Sequence, residues 1–115
     1  MKNITLEKAE VFDKNEICKT IEYSFQDKDL DLGIAIIKGR YPEKGYCMNE
    51  ISKELIYILE GTGKIVTNKK EISFKEGDAI FINPKEKYYW DTTYCKASMS
   101  CTPAWSPDQY KVVEE

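Results

Sequence analysis

The stretch Glu54-Leu-Ile-Tyr-Ile-Leu-Glu-Gly-Thr-Gly63 decides the fold of this chain. An acid opens a run of five apolar residues, and a Gly-Thr-Gly sequence closes the stretch. Such a pattern predicts a buried strand that leads into a tight turn. What Glu54 faces then determines which chemistry the interior of the protein can support.

Short apolar or alternating runs, separated by turn residues, lie on both sides of this stretch. Leu32-Gly-Ile-Ala-Ile-Ile37 is apolar throughout, as a strand between two layers is. Asn68-Lys-Lys70 separates two short runs and predicts a hairpin. From Cys95 to Thr102 apolar or small side chains alternate with polar ones. Many short strands without a convincing amphipathic helix predict an all-β sandwich or barrel.

Length and charge narrow the range of functions. The chain has 115 residues, which matches one ordinary domain with one core. Charged residues make up 32% of the chain, the net charge is -3, and the charges are not blocked, so we expect no nucleic-acid partner. No apolar run is long enough to span a bilayer, and the N-terminus lacks the apolar segment of a signal peptide. We therefore expect no membrane partner and a cytoplasmic location.

The cysteines and the missing histidine limit the chemistry further. The four cysteines are Cys18, Cys47, Cys95 and Cys101, and without any CxxC pair we expect them to be free thiols. The chain has no histidine, which excludes Ser-His-Asp and Cys-His catalysis in their usual forms and histidine-based zinc or iron sites. Any chemistry must use carboxylates, tyrosines, thiols, lysines or Arg40, the single arginine.

Two segments resemble sequence motifs of the cupins, which are small β-barrels of the jelly-roll type. Glu54 and Gly61 resemble the second half of the first cupin motif, and Gly77-Asp-Ala-Ile-Phe-Ile-Asn-Pro84 resembles the first half of the second. The resemblance covers about residues 39–102 and implies one cupin-like jelly-roll domain over residues 1–115. In that family a pair of histidines, a glutamate and a third histidine usually hold a divalent metal.

The resemblance also shows where this chain departs from the family. The residues at the histidine positions are Cys47, Asn49 and Tyr88, or Met48 and Glu50 in place of the first two if the spacing is one residue shorter. Only Glu54 remains of the usual ligands, and Lys85 replaces the glycine that follows the proline turn. Because asparagine, methionine and tyrosine do not substitute for coordinating imidazoles, we expect no metal or other cofactor. The alternative is a zinc site made by Cys47, Glu50, Glu54 and Tyr88.

A metal-free barrel that keeps the family's orientation directs Glu54 inwards, together with Ile56 and Ile58. Burial then raises the pKa of the Glu54 carboxyl unless a donor compensates. Tyr88, Asn49 and the Cys47 thiol are the candidate donors. The candidate ligand-binding residues are Arg40, Cys47, Asn49, Glu54, Tyr88 and Trp90. Glu54 and Tyr88 are also the candidates for catalysis.

Each candidate has a plainer interpretation. Glu54 can be a satisfied structural acid, Cys47 a core thiol, and the aromatic residues ordinary core or interface residues. Arg40 can be a solvated surface residue instead of a clamp for a carboxylate or phosphate. The segment around Trp105, with a proline on each side, is an ordered strap across the sheet or a lid over the barrel mouth.

Three functions compete on these grounds. The first, which we favour, is a binding protein for a small molecule, with a sugar-like compound or a small carboxylate as ligand. The second is a metal-independent isomerase or epimerase in which Glu54 or Tyr88 moves a proton. The third is an atypical metal enzyme that uses Cys47 and carboxylates. We also expect a homodimer, because cupins commonly associate through sheet edges.

Overall fold

A computed structural model describes residues 1–114. These residues form nine strands, two short 3₁₀ helices and no α-helix, which confirms the all-β prediction. The strands are β1 (Glu10–Asp13), β2 (Cys18–Tyr23), β3 (Leu32–Tyr41), β4 (Tyr46–Asn49), β5 (Lys53–Thr67), β6 (Glu71–Lys75), β7 (Ala79–Ile82), β8 (Tyr88–Thr102) and β9 (Tyr110–Val113). The 3₁₀ helices are Leu6–Lys8 and Pro107–Gln109. In this part of the chain there is no helix with the length and apolarity to cross a bilayer.

Strand β8 is the centre of the sheet. Along its length it pairs antiparallel with β3 at one edge and with β5 at the other, and its first residue also pairs with β4. Strands β2 and β1 extend the sheet beyond β3, and β9 extends it beyond β4. Strand β7 pairs with the first part of β5 and β6 with the last part. The sheet curls into a barrel, and the predicted hairpin at Asn68-Lys-Lys70 joins β5 to β6.

The Gly61-Thr-Gly63 sequence does not form the predicted turn, because β5 continues through it to Thr67. Instead, the register between β5 and β8 shifts on each side of Gly61. Gly61 has a φ of +89°, and a Cβ atom at this position would overlap the carbonyl oxygen of Tyr94 on β8. A Cβ atom on Gly63 would lie only 2.6 Å from Cβ of Thr92. These glycines therefore allow a bulged strand to approach its neighbour closely.

The inward and outward faces of β5 follow the predicted alternation. Glu54, Ile56 and Ile58 are buried, whereas Leu55 and Tyr57 are about half exposed. The apolar core that packs with these isoleucines consists mainly of Ile37, Ile65, Phe74, Ile80, Ile82, Trp90 and Ala97. All four cysteines are buried, and none of them forms a disulfide within the described chain, which confirms the free-thiol prediction.

Candidate functional site

One end of the barrel contains a cavity of about 290 Å³. Buried side chains from β4, β5 and β8 form its base, residues of β2 and β3 form its walls, and the exposed connection between β2 and β3 lies at its rim. The candidate residues predicted from the sequence that line it are Cys47, Asn49, Glu54, Tyr88 and Trp90. The structure thus brings together five of the six candidates from three strands, of which β8 is distant in sequence from β4 and β5.

Glu54 lies at the base of this cavity with 6% of its surface exposed. It faces inwards because strand alternation on β5 places it on the same side as Ile56, and it pairs with Cys101 on β8 and Ile82 on β7. The hydroxyl of Tyr88 donates to Oε1 of Glu54 at 3.1 Å. Burial raises the pKa of the Glu54 carboxyl above its ordinary 4.5, although the Cys101 and Tyr88 donors act in the opposite direction.

Cys101 is a contact of Glu54 that the sequence argument did not single out. Its Sγ donates to Oε2 of Glu54 at 3.5 Å, so both carboxyl oxygens have a partner. The alternation along β8 placed Cys101 on the inward face, but only the register between β5 and β8 sets it opposite Glu54. Burial and the Glu54 charge raise the pKa of the Cys101 thiol, which therefore keeps its proton.

Cys47 and Tyr88 are paired across β4 and β8, as the alternative zinc site would require. The Cys47 thiol donates to the backbone carbonyl of Tyr88 at 3.3 Å instead of to the Glu54 carboxyl. Burial raises the pKa of this thiol to about 11, and burial together with the Glu54 charge raises that of the Tyr88 hydroxyl well above its usual range. Both groups are consequently neutral donors, and neither is an activated nucleophile.

Asn49 is held by the segment that follows β8. The indole Nε1 of Trp105 donates to Oδ1 of Asn49 at 2.9 Å. The carboxylate of Asp31, at the end of the connection between β2 and β3, accepts from the backbone N–H of Trp105 at 2.9 Å and from that of Cys101 at 2.6 Å. These hydrogen bonds tie the segment down as a strap, one of the two arrangements expected from the sequence, and Trp105 on it is also part of the cavity lining.

Arg40 is the one candidate that the structure does not bring to the cavity. Its guanidinium donates to the backbone carbonyls of Pro42 and Gly45 at 2.9 and 3.1 Å, and it lies 3.8 Å from the ring centroid of Tyr89. Because side chains alternate along β3, Arg40 points away from the interior while its neighbour Tyr41 lines the cavity. The expectation that Arg40 clamps a ligand in this cavity is corrected accordingly, since Arg40 instead supports the turn between β3 and β4.

The architecture matches solved structures at low sequence identity. No family model matches the sequence, and no curated protein matches it. Three matching solved structures are a Streptomyces PAC13 variant with uridine (TM-score 0.87, 16% identity, 99% of this chain and 92% of that one), ectoine synthase from P. lautus (TM-score 0.75, 14% identity, 98% and 90%) and an RmlC-like cupin from Shewanella frigidimarina (TM-score 0.70, 20% identity, 85% and 86%). The chain has a cupin fold. At these identities the comparison establishes the architecture and leaves the activity open.

The side chains at the positions that resemble the cupin metal site do not suit a divalent ion. Glu50, which the alternative zinc site requires, is exposed at the surface and forms an ion pair with Lys111 at 3.5 Å. The described residues contain no group of three or more His, Cys, Asp or Glu side chains that converge on one point. The Cys47 thiol and the Tyr88 hydroxyl both have raised pKa values, which opposes the deprotonation that metal binding requires. The zinc alternative is therefore not supported by the geometry.

The charges around this cupin cavity are mostly negative. Glu22, Asp27 and Asp31 line it in addition to Glu54, and Lys14 is the single cation among the described lining residues. An anionic ligand would have to approach these carboxylates with only Lys14 to attract it. The cavity is accordingly better suited to an uncharged ligand than to a small carboxylate.

Proposed function

We propose that this cupin binds an uncharged, hydroxylated ring compound of about the size of a monosaccharide or a nucleoside. The observation that carries the proposal is the buried pair of Glu54 and Tyr88 at the base of an otherwise partly apolar cavity. A buried carboxyl group can accept hydrogen bonds and a phenol hydroxyl can both donate and accept them, which suits the hydroxyl groups of a ligand.

The shape and lining of the cavity support the same class of ligand. Its volume of about 290 Å³ is close to the lower limit of about 300 Å³ for small-molecule pockets. Trp90, Trp105 and Met99 supply apolar surface against which one face of a ring can pack. A PAC13 variant, whose fold is similar, has been solved with uridine, and this supports including nucleosides among the ligands to be tested.

The test is a thermal-shift screen with uridine, simple sugars, nucleotide sugars and small carboxylates. We expect neutral compounds to raise the melting temperature of the wild type and carboxylates to leave it unchanged. Glu54→Gln and Tyr88→Phe should reduce the shift given by a neutral ligand. Tyr57→Phe is the matched control, because Tyr57 lies on β5 with its side chain outside the barrel. Equal shifts in all four proteins, or a larger shift with carboxylates, would show that the proposal is wrong.

A second function, acid catalysis, is favoured by the raised pKa of Glu54. A carboxyl that keeps its proton to higher pH can protonate a substrate oxygen during an isomerisation. Tyr88 would then orient the acid rather than act as a base, because its own pKa is raised well above the usual range. Incubating a compound that binds with the protein in D₂O tests this function by NMR. Turnover that Glu54→Gln abolishes supports an enzyme, whereas binding without proton exchange or product supports a binding protein.

A further inference from the structure

The amide of Asn49 carries a donor group that the protein itself does not use. Asn49 lines the cavity and is only 5% exposed. Its Oδ1 accepts from Trp105, and its Nδ2 makes no hydrogen bond with any described residue. No fully enclosed side-chain nitrogen or oxygen in residues 1–114 lacks a partner, so Nδ2 must have accessible surface. Because Asn49 is nearly buried and lines the cavity, we assign that surface to the cavity.

Trp105 fixes which end of the amide faces the ligand. An indole N–H can only donate, so the atom of Asn49 that faces Nε1 at 2.9 Å must be the oxygen. If the amide turned over, two N–H groups would point at each other and the indole donor would lose its acceptor. The Asn49 amide therefore presents its nitrogen, and not its oxygen, to whatever occupies the cavity.

The two groups that make this contact are themselves held in place. Asp31 accepts from the backbone N–H of Trp105, and the indole packs edge to face on Tyr110, with ring centroids 6.0 Å apart. The backbone carbonyl of Asn49 accepts from the N–H of Lys85 at 2.7 Å, and Asn49 is paired with Tyr110 across β4 and β9. Anchoring on both sides reduces the entropy that the amide would lose when a ligand binds.

We propose that Asn49, oriented by Trp105, is the specificity-determining residue of this cavity and that its Nδ2 donates to a ring carbonyl of the ligand. This inference rests on the proposed function and narrows it from hydroxylated ring compounds to those that bear a carbonyl on a flat ring, as uracil-type nucleosides do. Glu54 and Tyr88 then contact the hydroxylated part of the ligand. For the contact between Nδ2 and the carbonyl, Trp105 is a positioning residue, because there it acts through Asn49.

The test compares two probes that share a ribose, uridine and methyl β-D-ribofuranoside, of which only uridine carries a ring carbonyl. Dissociation constants are measured by NMR titration for the wild type, Asn49→Ala and Trp105→Phe. We expect the wild type to bind uridine more tightly than the riboside and Asn49→Ala to lose about five- to tenfold of its uridine affinity, the usual effect of one hydrogen bond. Trp105→Phe, which retains a ring but no N–H, should lose part of the preference for uridine over the riboside. The riboside should lose clearly less affinity than uridine in both variants.

Asn68→Ala, in the turn between β5 and β6, is the control for the asparagine substitution and should not change either constant. In ¹⁵N-labelled wild type, the Asn49 side-chain amide signal should move when uridine is added and remain in place with the riboside. A riboside that binds as tightly as uridine overturns the inference but leaves the proposed function intact. Equal losses for both probes in the variants indicate a purely structural role for Asn49 and also overturn it. If no compound of the wider screen binds either, the proposed function fails as well.

Discussion

The inward face of β5 carries Ile58 and Ile65 in one part of the barrel and Glu54 in another. The isoleucines are almost fully buried and belong to an apolar core with Phe74 and Trp90. Glu54 is also buried, but beside a cavity, and its carboxyl oxygens bind a phenol and a thiol. The two regions share strands β5 and β8, although the register shifts on each side of Gly61 interrupt the alternation between Ile58 and Ile65. One stretch of strand can therefore contribute packing at one end and a chemical group at the other.

The apolar core around Ile58 and Ile65 depends on the close approach of β5 and β8. Of the substitutions considered, Gly61→Ala should lower its stability most. The new Cβ would overlap the Tyr94 carbonyl oxygen and lie 2.8 Å from Cα of Cys95, in backbone with a φ of +89°. We expect the free energy of unfolding to fall by more than about 4 kcal/mol, as measured by urea denaturation.

Gly77→Ala provides a matched control for that loss. Gly77 has a similar φ of +92°, but a Cβ atom there would meet nothing within 4 Å. The free energy of unfolding of this variant should fall by only about 1–2 kcal/mol, the cost of placing alanine in left-handed backbone. Equal losses at Gly61 and Gly77 would show that the approach of β8 contributes nothing to the requirement for glycine.

The cavity around Glu54 should make the stability of the protein depend on pH, whereas the apolar core should not. Glu54→Gln measures this contribution. Because the pKa of Glu54 is raised in the folded protein, the native state holds the proton more tightly than the unfolded chain does. The stability of the wild type should therefore fall, relative to Glu54→Gln, as pH rises from about 4.5 through the raised pKa, with a slope of at most about 1.4 kcal/mol per pH unit.

Urea denaturation of both proteins between pH 4 and pH 8 checks this expectation. Glu76→Gln, in the exposed turn before β7, should instead follow the wild type across the range. A constant difference between wild type and Glu54→Gln would mean that the pKa of Glu54 is the same in the folded and unfolded states.

The smallest expected effect concerns the turn between β7 and β8, where the N–H of Lys85 donates to the backbone carbonyl of Asn49. Lys85 has a φ of +69°, in the left-handed region that favours glycine. Lys85→Gly should relieve this strain and raise the free energy of unfolding by about 0.5–1 kcal/mol. Lys87→Gly, where φ is not positive, should lower it slightly. A stabilisation of the same size at Lys87 would show that backbone conformation is not the cause. The measurement is again urea denaturation.

Much of the fold followed from pattern alone. The alternation along β5 correctly placed Glu54, Ile56 and Ile58 inside, and turn residues such as Asn68-Lys-Lys70 correctly marked a hairpin. The Gly61-Thr-Gly63 sequence was misjudged, because glycine is common both in turns and in bulges where another strand passes closely. Sequence spacing cannot distinguish these cases when the passing strand, here β8, comes about thirty residues later.

The site was predictable where the cupin resemblance fixed a position and was missed where it did not. The resemblance placed Cys47, Asn49 and Tyr88 around Glu54, and the structure brings all four to one cavity. Arg40 was expected there because guanidinium groups bind anions, but its direction depends on the side of β3 that it occupies. Asp31 and Cys101 were not identified, because their contacts join segments that are distant in sequence.

The sequence by itself determined that this protein is all-β, that it lacks the histidines of the usual cupin metal site, and that Glu54 shares a face with isoleucines. Those conclusions follow from residue type and from the period of a strand, which are local properties. Only the tertiary structure decided the partners of the polar groups, such as Cys101 for Glu54 and Trp105 for Asn49. Hydrogen bonds between distant strands depend on register and on the path of connecting segments, and the long-range packing of the whole chain sets both.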